Sequence, residues 1–242
     1  MAVTNNGDST LYKTSTTVDQ PSFNHTVPSG TDLLILLAGV AGDRDMSATS
    51  PTWNGTQLSL IADTGDYASG DARVHCYGLI SPTAGSNKTT WLNWESPGSP
   101  PCAWIAMLNY SGVDTTSLAA ATNSLETISN RVGDETETAF SSAGSSGNGL
   151  LIGCGAIGAN TSPASNNASF TELFDEDTGG GQNNNNDQGI YVAEHLSAAP
   201  TAVTVTWSSS DENAGVYIEL VAASAASKMP LFTHHLKQMQ GH

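Results

Sequence analysis

The residues that could do chemistry in this sequence are mostly acidic, and the densest group lies between two predicted strands. Asp175 and Asp177 are spaced as in Asp-x-Asp-x-Gly, and Asp187 follows a run of Gly and Asn. Ca²⁺ prefers oxygen ligands from closely spaced carboxylates and amides. The spacing lacks a third side-chain ligand and the final Glu of an EF-hand. It therefore indicates a long exposed loop, with calcium as the one candidate cofactor and these three aspartates as its candidate ligands.

Hydrolytic chemistry has weaker support. A nucleophilic Ser or Cys needs a base and an orienting acid, and the sequence contains no Gly-x-Ser-x-Gly segment. Asp43 with Asp45, or Glu194 with Glu219, could be paired carboxylates of a glycosidase, but their spacing does not favour that role over solvated strand and loop positions. We predict no catalytic residues and a protein that is not an enzyme. A polysaccharide-active enzyme is the least favoured alternative.

Exposed tryptophans can form platforms for sugar rings. Trp53 and Trp94 lie beside predicted turns and are the candidate glycan contacts. Packing at the ends of the fold is the alternative that we favour for both. Trp91 and Trp207 occupy matching positions in an internal repeat, which indicates a core role.

The C-terminal segment differs in character from the rest of the chain. It carries two lysines, no acid and several apolar side chains that would be unfavourable in water. We predict that it docks on a neighbouring subunit or a partner protein, a frayed terminus being the alternative. The residues predicted to bind the partner are Lys228, Leu231, Phe232, His234, His235, Leu236, Lys237 and Met239.

Period-2 alternation dominates the sequence, and helical periodicity is nearly absent. The segment 216–220 alternates, which predicts that Val216, Ile218 and Leu220 are buried while Tyr217 and Glu219 face outward. The other predicted strands are 33–40, 58–62, 73–80, 89–94, 104–110, 150–157, 170–174, 190–196 and 203–207. Gly, Pro, Asn and Ser cluster between them, as expected for turns.

An internal repeat organises these strands. A Leu-rich strand at Leu33 opens one series that closes at Tyr110, and a similar strand at Leu150 opens a second series that closes at Leu220. We expect two halves that each supply part of one closed sandwich. The predicted fold is an all-β, jelly-roll-like β-sandwich built from two pseudo-repeats of about five strands each. The predicted boundaries are an arm at 1–21, a sandwich at 22–223 (first half 22–117, crossover 118–139, second half 140–223) and a docking tail at 224–242.

The order of several short motifs resembles a two-half β-sandwich module that recurs in phage virion proteins and in some bacterial surface proteins. The motif residues are Pro28, Gly30, Asp32, Leu33 and Leu34, then 54–58 (Asn-Gly-Thr-Gln-Leu), then Tyr77, Leu79, Pro82 and Gly85, and last 110–114 (Tyr-Ser-Gly-Val-Asp). The resemblance spans about residues 22–223, and Asn54 replaces the first glycine of its motif. It implies a structural or adhesive virion component and carries over no catalytic residue.

Composition restricts the partners further. The chain of 242 residues has 7 Lys+Arg against 23 Asp+Glu, a net charge of −16, which disfavours binding to nucleic acid or to an anionic membrane. The longest apolar run, 33–38, is too short for a membrane helix. The first residues lack the pattern of a signal peptide, so we expect synthesis in the host cytoplasm. Cys76, Cys102 and Cys154 are predicted to be buried, reduced thiols.

Together these observations predict a non-enzymatic virion structural protein, a capsid decoration or cement protein on the exterior surface of a phage. The predicted partners are other virion proteins, above all the major capsid protein, and further copies of the chain in a homo-oligomer. The alternative is a receptor- or glycan-binding module of a fibre or adhesin.

Overall fold

A computed structural model describes residues 2–15, 21–41, 50–65, 72–90, 102–130, 136–157, 165–166, 168–179, 187–196, 202–208 and 212–224. Nearly all of their regular structure is β-strand, which confirms the predicted all-β fold. The first half contains β1 (Thr4–Asn5), β2 (Thr10–Thr14), β3 (Ser22–Val27), β4 (Leu33–Ala41), β5 (Thr52–Trp53), β6 (Thr56–Gln57), β7 (Ser59–Asp63), β8 (Ala72–Ile80), β9 (Gly85–Thr90) and β10 (Ala103–Ser111). The second half contains α1 (Leu118–Ala121), β11 (Thr122–Asn130), β12 (Glu137–Phe140), β13 (Gly149–Ile157), β14 (Ser165–Asn166), β15 (Thr171–Asp177), β16 (Gln188–His195), β17 (Val203–Thr206) and β18 (Asn213–Leu220).

The strands of each half form one large and one small antiparallel sheet. In the first half the orders are β1-β10-β4-β8-β7, with β2 also paired to β10, and β3-β9-β5-β6. In the second half they are β11-β18-β13-β16-β15 and β12-β17-β14. The order β10-β4-β8-β7 corresponds to β18-β13-β16-β15, and β3-β9-β5 corresponds to β12-β17-β14. The first half adds β6 and a second edge strand on β10, and the shared order shows that the internal repeat predicted from the sequence is present in the fold.

Three apolar cores hold the four sheets together. The two large sheets pack face to face, and side chains such as Leu37 and Val216 form the central core between them. Leu36 and its neighbours fill the space between the large and small sheets of the first half. Ile152 does the same in the second half. The molecule therefore has four layers, small-large-large-small, and packed sheets spaced by about 10 Å place the outermost two about 30 Å apart.

The layer count differs from the expectation of two halves that share one sandwich. Each half has a small sheet of its own that covers the far face of its large sheet. The strands of these small sheets are short and alternate: in β3, Ser22 and Asn24 are exposed, whereas His25 and Val27 are buried. The sandwich architecture is confirmed, but a complete jelly-roll order stays a prediction, because β7 and β15 extend the large sheets rather than the small ones.

The predicted outward orientation of Tyr217 and Glu219 is wrong. Both side chains are buried, with 0% and 2% of their surface exposed. They lie on the face of β18 that the small sheet of the second half covers, where Tyr217 packs against Phe140 at a ring-centroid distance of 5.4 Å. Alternate residues of β18 therefore face two different apolar cores, and neither set faces solvent.

The segments predicted as an arm and a crossover both contribute edge strands. In the arm, β1 and β2 pair with β10. In the crossover, β11 pairs with β18 over its whole length, with Thr122 opposite Leu220. Helix α1 precedes β11, and the Ser117 hydroxyl accepts the Ala120 N–H at 3.1 Å to cap its first turn. These Ser- and Thr-rich strands each pair along one edge of a large sheet.

The motif residues Asp32 and Gly112 meet at one corner of the first half. The Asp32 carboxylate accepts the Gly112 N–H at 2.6 Å, and the Asp32 N–H donates to the Tyr110 carbonyl at 2.8 Å. Gly112 has a φ of 77°, and a Cβ added to it would lie 2.1 Å from the Ala2 carbonyl oxygen. A side chain is therefore excluded twice, by the backbone conformation and by the N-terminal chain.

We expect Gly112→Ala to lower the free energy of unfolding by about 2–3 kcal/mol, because a left-handed alanine is strained and the new Cβ displaces the chain at Ala2. Gly30→Ala is the matched control, since Gly30 has a φ of 84° but no atom within 4 Å of the added Cβ. Urea unfolding of both variants measures the difference. Equal losses would show that contact with the N-terminal chain contributes nothing at Gly112.

Candidate functional site

The three aspartates predicted as calcium ligands lie at the β15–β16 hairpin. Asp175 and Asp177 are partly exposed on β15, which is an edge strand, and pair with Tyr191 and Gly189 of β16. Asp187 is 1% exposed, and its carboxylate accepts hydrogen bonds from the Thr178 hydroxyl at 2.8 Å and the Gly179 N–H at 3.1 Å.

Asp187 was predicted to be a cation ligand in an exposed loop, and the prediction of exposure is wrong. Its buried carboxylate hydrogen-bonds Thr178 and Gly179 at the end of the hairpin. Among the residues that the structure describes, no group of three or more His, Cys, Asp or Glu side chains is placed to hold a metal ion. The three aspartates therefore do not form an assembled cation site within the described hairpin.

The arrangement at the end of β15 occurs also at the end of β7 in the first half. Both contain Asp-Thr-Gly, at 177–179 and at 63–65, a repeat that was not recognised from the sequence. The Thr178 N–H donates to the Gln188 carbonyl at 3.0 Å, and the Thr178 hydroxyl accepts the Gln188 N–H at 2.9 Å. Thr64 makes the equivalent pair with Val74, at 3.1 Å for both bonds. The following Gly65 and Gly179 both have positive φ, 86° and 82°. A Thr-Gly pair thus follows the edge strand β7 of one large sheet and the edge strand β15 of the other.

The two aspartates of this motif cannot act on one substrate bond. Asp63 ends β7, which contacts β11, whereas Asp177 ends β15. On the other side of the molecule, Glu176 of β15 forms an ion pair with Lys13 of β2 at 2.7 Å. Strands β7 and β2 are the opposite edges of one sheet, four strand spacings or about 19 Å apart. A proton-sharing carboxylate pair needs a separation of about 3 Å, so the motif is structural.

The proposed carboxylate pair of Glu194 and Glu219 is also excluded by the fold. Both strands flank β13, where Leu151 lies opposite Glu194 and Leu150 lies opposite Glu219. Adjacent residues of β13 point to opposite faces, and so Glu194 faces the central core while Glu219 faces the small sheet of the second half. The sheet itself separates the two carboxylates.

Glu194 forms a polar contact between the two halves. Its side chain is 6% exposed and accepts hydrogen bonds from the Tyr110 hydroxyl at 2.9 Å and from the Asn5 amide at 3.0 and 3.2 Å. These donors lie on β10 and β1 of the first half. Burial raises the pKa of Glu194 above its ordinary value of 4.5, although the hydrogen bonds from Tyr110 and Asn5 act in the opposite direction.

A pH dependence of stability follows from this raised pKa. Between pH 4.5 and the higher folded-state value, the native protein binds more protons at Glu194 than the unfolded chain does, so stability decreases as pH rises through that window. In Glu194→Gln this decrease should be absent. Urea unfolding at a series of pH values from 4 to about 8 measures the difference between the two proteins. Parallel stability curves for the two proteins would contradict the prediction.

A polar cavity of about 380 Å³ lies where the N-terminal chain meets the small sheet of the first half. Beneath it, His25 is 1% exposed and its ring nitrogens contact the Thr10 hydroxyl at 3.0 Å and the Asn109 amide oxygen at 3.3 Å. Burial lowers the pKa of His25 below 6.5 and so favours the neutral ring, although the hydrogen bond with Asn109 acts in the opposite direction. The residues that line the cavity are Asp8, Ser9, Thr10, Asn24, Thr26 and Ser86.

Of the two candidate glycan contacts, Trp53 is buried. Its side chain is 1% exposed and belongs to the core between the two sheets of the first half. Trp53 precedes a tight turn at Asn54 and Gly55, both with positive φ, and the turn folds the indole inward. The prediction of Trp53 as a glycan contact is therefore wrong, because a buried indole cannot stack on a sugar ring. Trp94 lies outside the described residues, as does the whole predicted partner-binding tail from Lys228 to Met239.

The three cysteines are buried and none forms a disulfide, which confirms the prediction of reduced internal thiols. Burial raises the pKa of the Cys76 and Cys154 thiols well above their ordinary range, so the reactive thiolate is disfavoured at both. Within the described residues, no helix is long and apolar enough to span a membrane. Comparison of the chain with protein-family models, curated proteins and solved structures gives no significant match.

Proposed function

We propose that this chain is a non-enzymatic structural protein of a virus particle that decorates or cements the outer surface of a phage capsid. The observation that carries the proposal is the four-layer body with two outer sheets of matching topology, one from each half. Such a body presents two related surfaces in opposite directions. A protein that cements a shell needs to contact two neighbouring subunits, and a pseudo-symmetric body suits that task.

The side chains of the outer sheets support a role in binding rather than catalysis. In the first half, Asn24 and Lys88 are exposed, and the Thr26 and Ser86 hydroxyls contact each other at 2.6 Å. In the second half, Glu137 and Ala139 are exposed on β12. Short side chains such as Asn24, Thr26 and Ser86 lose less conformational entropy than long ones when a partner covers them. We propose that these surfaces contact the major capsid protein.

The charge of the chain is compatible with an exterior position. A net charge of −16 keeps decorated particles apart and soluble. The resemblance of the motifs at 28–34 and 110–114 to virion sandwich modules supports the same assignment. The glycan-binding alternative has lost one of its two candidate tryptophans, Trp53, to the core.

Fractionation of particles made from the genome that encodes this chain tests the proposal. We expect the chain to remain with the particles through density-gradient purification, in a fixed ratio to the major capsid protein. Particles made without its gene should disassemble at a lower temperature. Recovery of the chain in the soluble fraction alone, with particles of unchanged heat resistance, would refute the proposal.

A further inference from the structure

An apolar groove of about 310 Å³ lies where the edge strands β7 and β11 of the two large sheets meet. Among the described residues, Leu60 is the single exposed large apolar side chain, with 44% of its surface exposed. Leu60 lies beside Ile61, Leu118 and Ala119, so the groove offers a continuous apolar lining that an apolar side chain could cover. The groove is lined by Leu60, Ile61, Leu118, Ala119, Thr122 and Ser124.

The groove is a built feature of the fold, because Gly78 leaves the space beneath it. A Cβ at Gly78 would lie 2.7 Å from Leu118 Cδ1 and 2.8 Å from Ile61 Cδ1. Ile61 also lies at a β-bulge, where the register between β7 and β8 shifts between Leu60 and Ala62. The bulge is an extra residue that changes the direction of the strand. The glycine and the bulge together hold Leu60 and Ile61 beside α1.

The described chain ends next to this groove. The Val221 N–H donates to the Ala121 carbonyl at 2.7 Å, and the Ala223 N–H donates to the Gly112 carbonyl at 2.8 Å. Ser224 lies three residues after Val221, which limits its distance from α1 to about 11 Å. Leu231 lies seven positions after Ser224, a stretch that can span up to about 25 Å. The C-terminal segment 225–242 is long enough to reach the groove of its own molecule.

The charges of the two surfaces are complementary. The segment 225–242 contains Lys228 and Lys237 and no acidic residue. The chain from Ser59 to Asp63 and from Asp114 to Asn130 contains Asp63, Asp114 and Glu126 but no Lys or Arg. Attraction between these groups adds to the burial of apolar side chains from the segment. The short distance in sequence between Ser224 and Leu231 also raises the effective concentration of the segment at its own groove.

We infer that segment 225–242 binds in cis to the groove at Leu60 and Leu118, with its apolar residues Leu231, Phe232, Leu236 and Met239 as the source of the buried side chains. The inference is independent of the proposed function, since it concerns the free protein. The competing occupant is the same segment of a second copy, which would produce an exchanged dimer.

Paramagnetic NMR on the full chain distinguishes these arrangements. The native cysteines are buried, so a spin label can be attached selectively to Gln238→Cys. With Leu and Ile methyl groups isotopically labelled in the same chain, we expect the Leu60, Ile61 and Leu118 signals to be lost. In a mixture of spin-labelled chains and separate isotope-labelled chains, these signals should stay intact.

Two variants of the exposed groove residue serve as matched controls. Leu60→Ser should restore the Ile61 and Leu118 signals in a protein that still unfolds cooperatively, at a lower melting temperature because the released segment no longer stabilises the folded state. Leu60→Met should leave the signal loss in place. Signals lost in the mixed sample would overturn the inference in favour of an exchanged dimer. Intact signals in the doubly labelled chain would overturn it outright, as would signal loss that persists in Leu60→Ser.

Discussion

Replacement of Gly39 by alanine should destabilise the protein by about 3 kcal/mol, because it overpacks the central core between the two large sheets. Gly39 lies on β4 directly opposite Trp104 on β10. An added Cβ would be 2.1 Å from Trp104 Nε1 and 2.3 Å from Cε2. The indole is fully buried, and so the ring can move away only by displacing other core side chains. Urea unfolding monitored by tryptophan fluorescence measures the loss.

Gly153 provides the matched control for this substitution. It lies on β13 and also faces the central core, but a Cβ there would meet the end of the Leu37 side chain at 2.9 Å. A flexible leucine can change rotamer, so Gly153→Ala should cost only about 1 kcal/mol. Gly39→Ala should also cost less when combined with Trp104→Leu, with a coupling of at least about 1 kcal/mol. A loss below about 0.5 kcal/mol for Gly39→Ala alone, the scale of surface substitutions, would contradict the packing at Trp104.

Replacement of Trp53 by alanine should cost about 3–5 kcal/mol, the usual effect of removing a large aromatic side chain from a core. Trp53 is 1% exposed and packs in the core between the sheets of the first half. Trp53→Phe should lose less, because it keeps much of the buried area. Thermal or urea unfolding of the two variants measures the order of stabilities.

The Trp53 result also separates two functions for this residue. A glycan-contacting tryptophan would be exposed, and its loss would weaken sugar binding with little change in stability. Gln57→Ala is the comparison for an exposed position in the same small sheet and should change stability by no more than about 0.5 kcal/mol. A Trp53→Ala protein as stable as Gln57→Ala would show that the indole is not part of the core.

The long central strands were predictable from sequence because they are buried on both faces. The apolar run at Leu33–Leu37 corresponds to β4, and the predicted strands at 73–80, 104–110 and 150–157 lie within β8, β10 and β13. Continuous apolar runs of this length indicate strands covered on both sides. The runs are visible in the sequence. The expected arrangement, two halves in one sandwich, covers only one face of the sheet that each half supplies.

The short strands of the outer sheets and edges could not be predicted in the same way. Strands β2 (Thr10–Thr14) and β11 (Thr122–Asn130) are rich in Thr and Ser, and each pairs with one side of a large sheet. Their polar patterns are also typical of loops, and only the partner strand decides between the two. In the second small sheet only β17 was predicted, as 203–207, whereas β12 and β14 were not, and the four-layer arrangement was missed with them.

The functional residues were harder to predict than the strands because their roles depend on contacts distant in sequence. Trp53 lies beside a turn in the sequence but points into a core. Glu194 and Glu219 have the residue type of a catalytic pair, yet they lie on opposite faces of one sheet. A signal for the repeated corner was available, since Asp-Thr-Gly occurs at 63–65 and again at 177–179. Its spacing matches the internal repeat.

We propose that this chain is bound to the outside of a virus particle. Cryo-electron microscopy of purified particles tests this position most directly. Reconstructions of particles made with and without the gene should differ by a density on the exterior surface. We expect this density to fit the four-layer body, with at least one outer sheet, β3-β9-β5-β6 or β12-β17-β14, in contact with the major capsid protein. Identical reconstructions, or a density confined to the particle interior, would contradict the account.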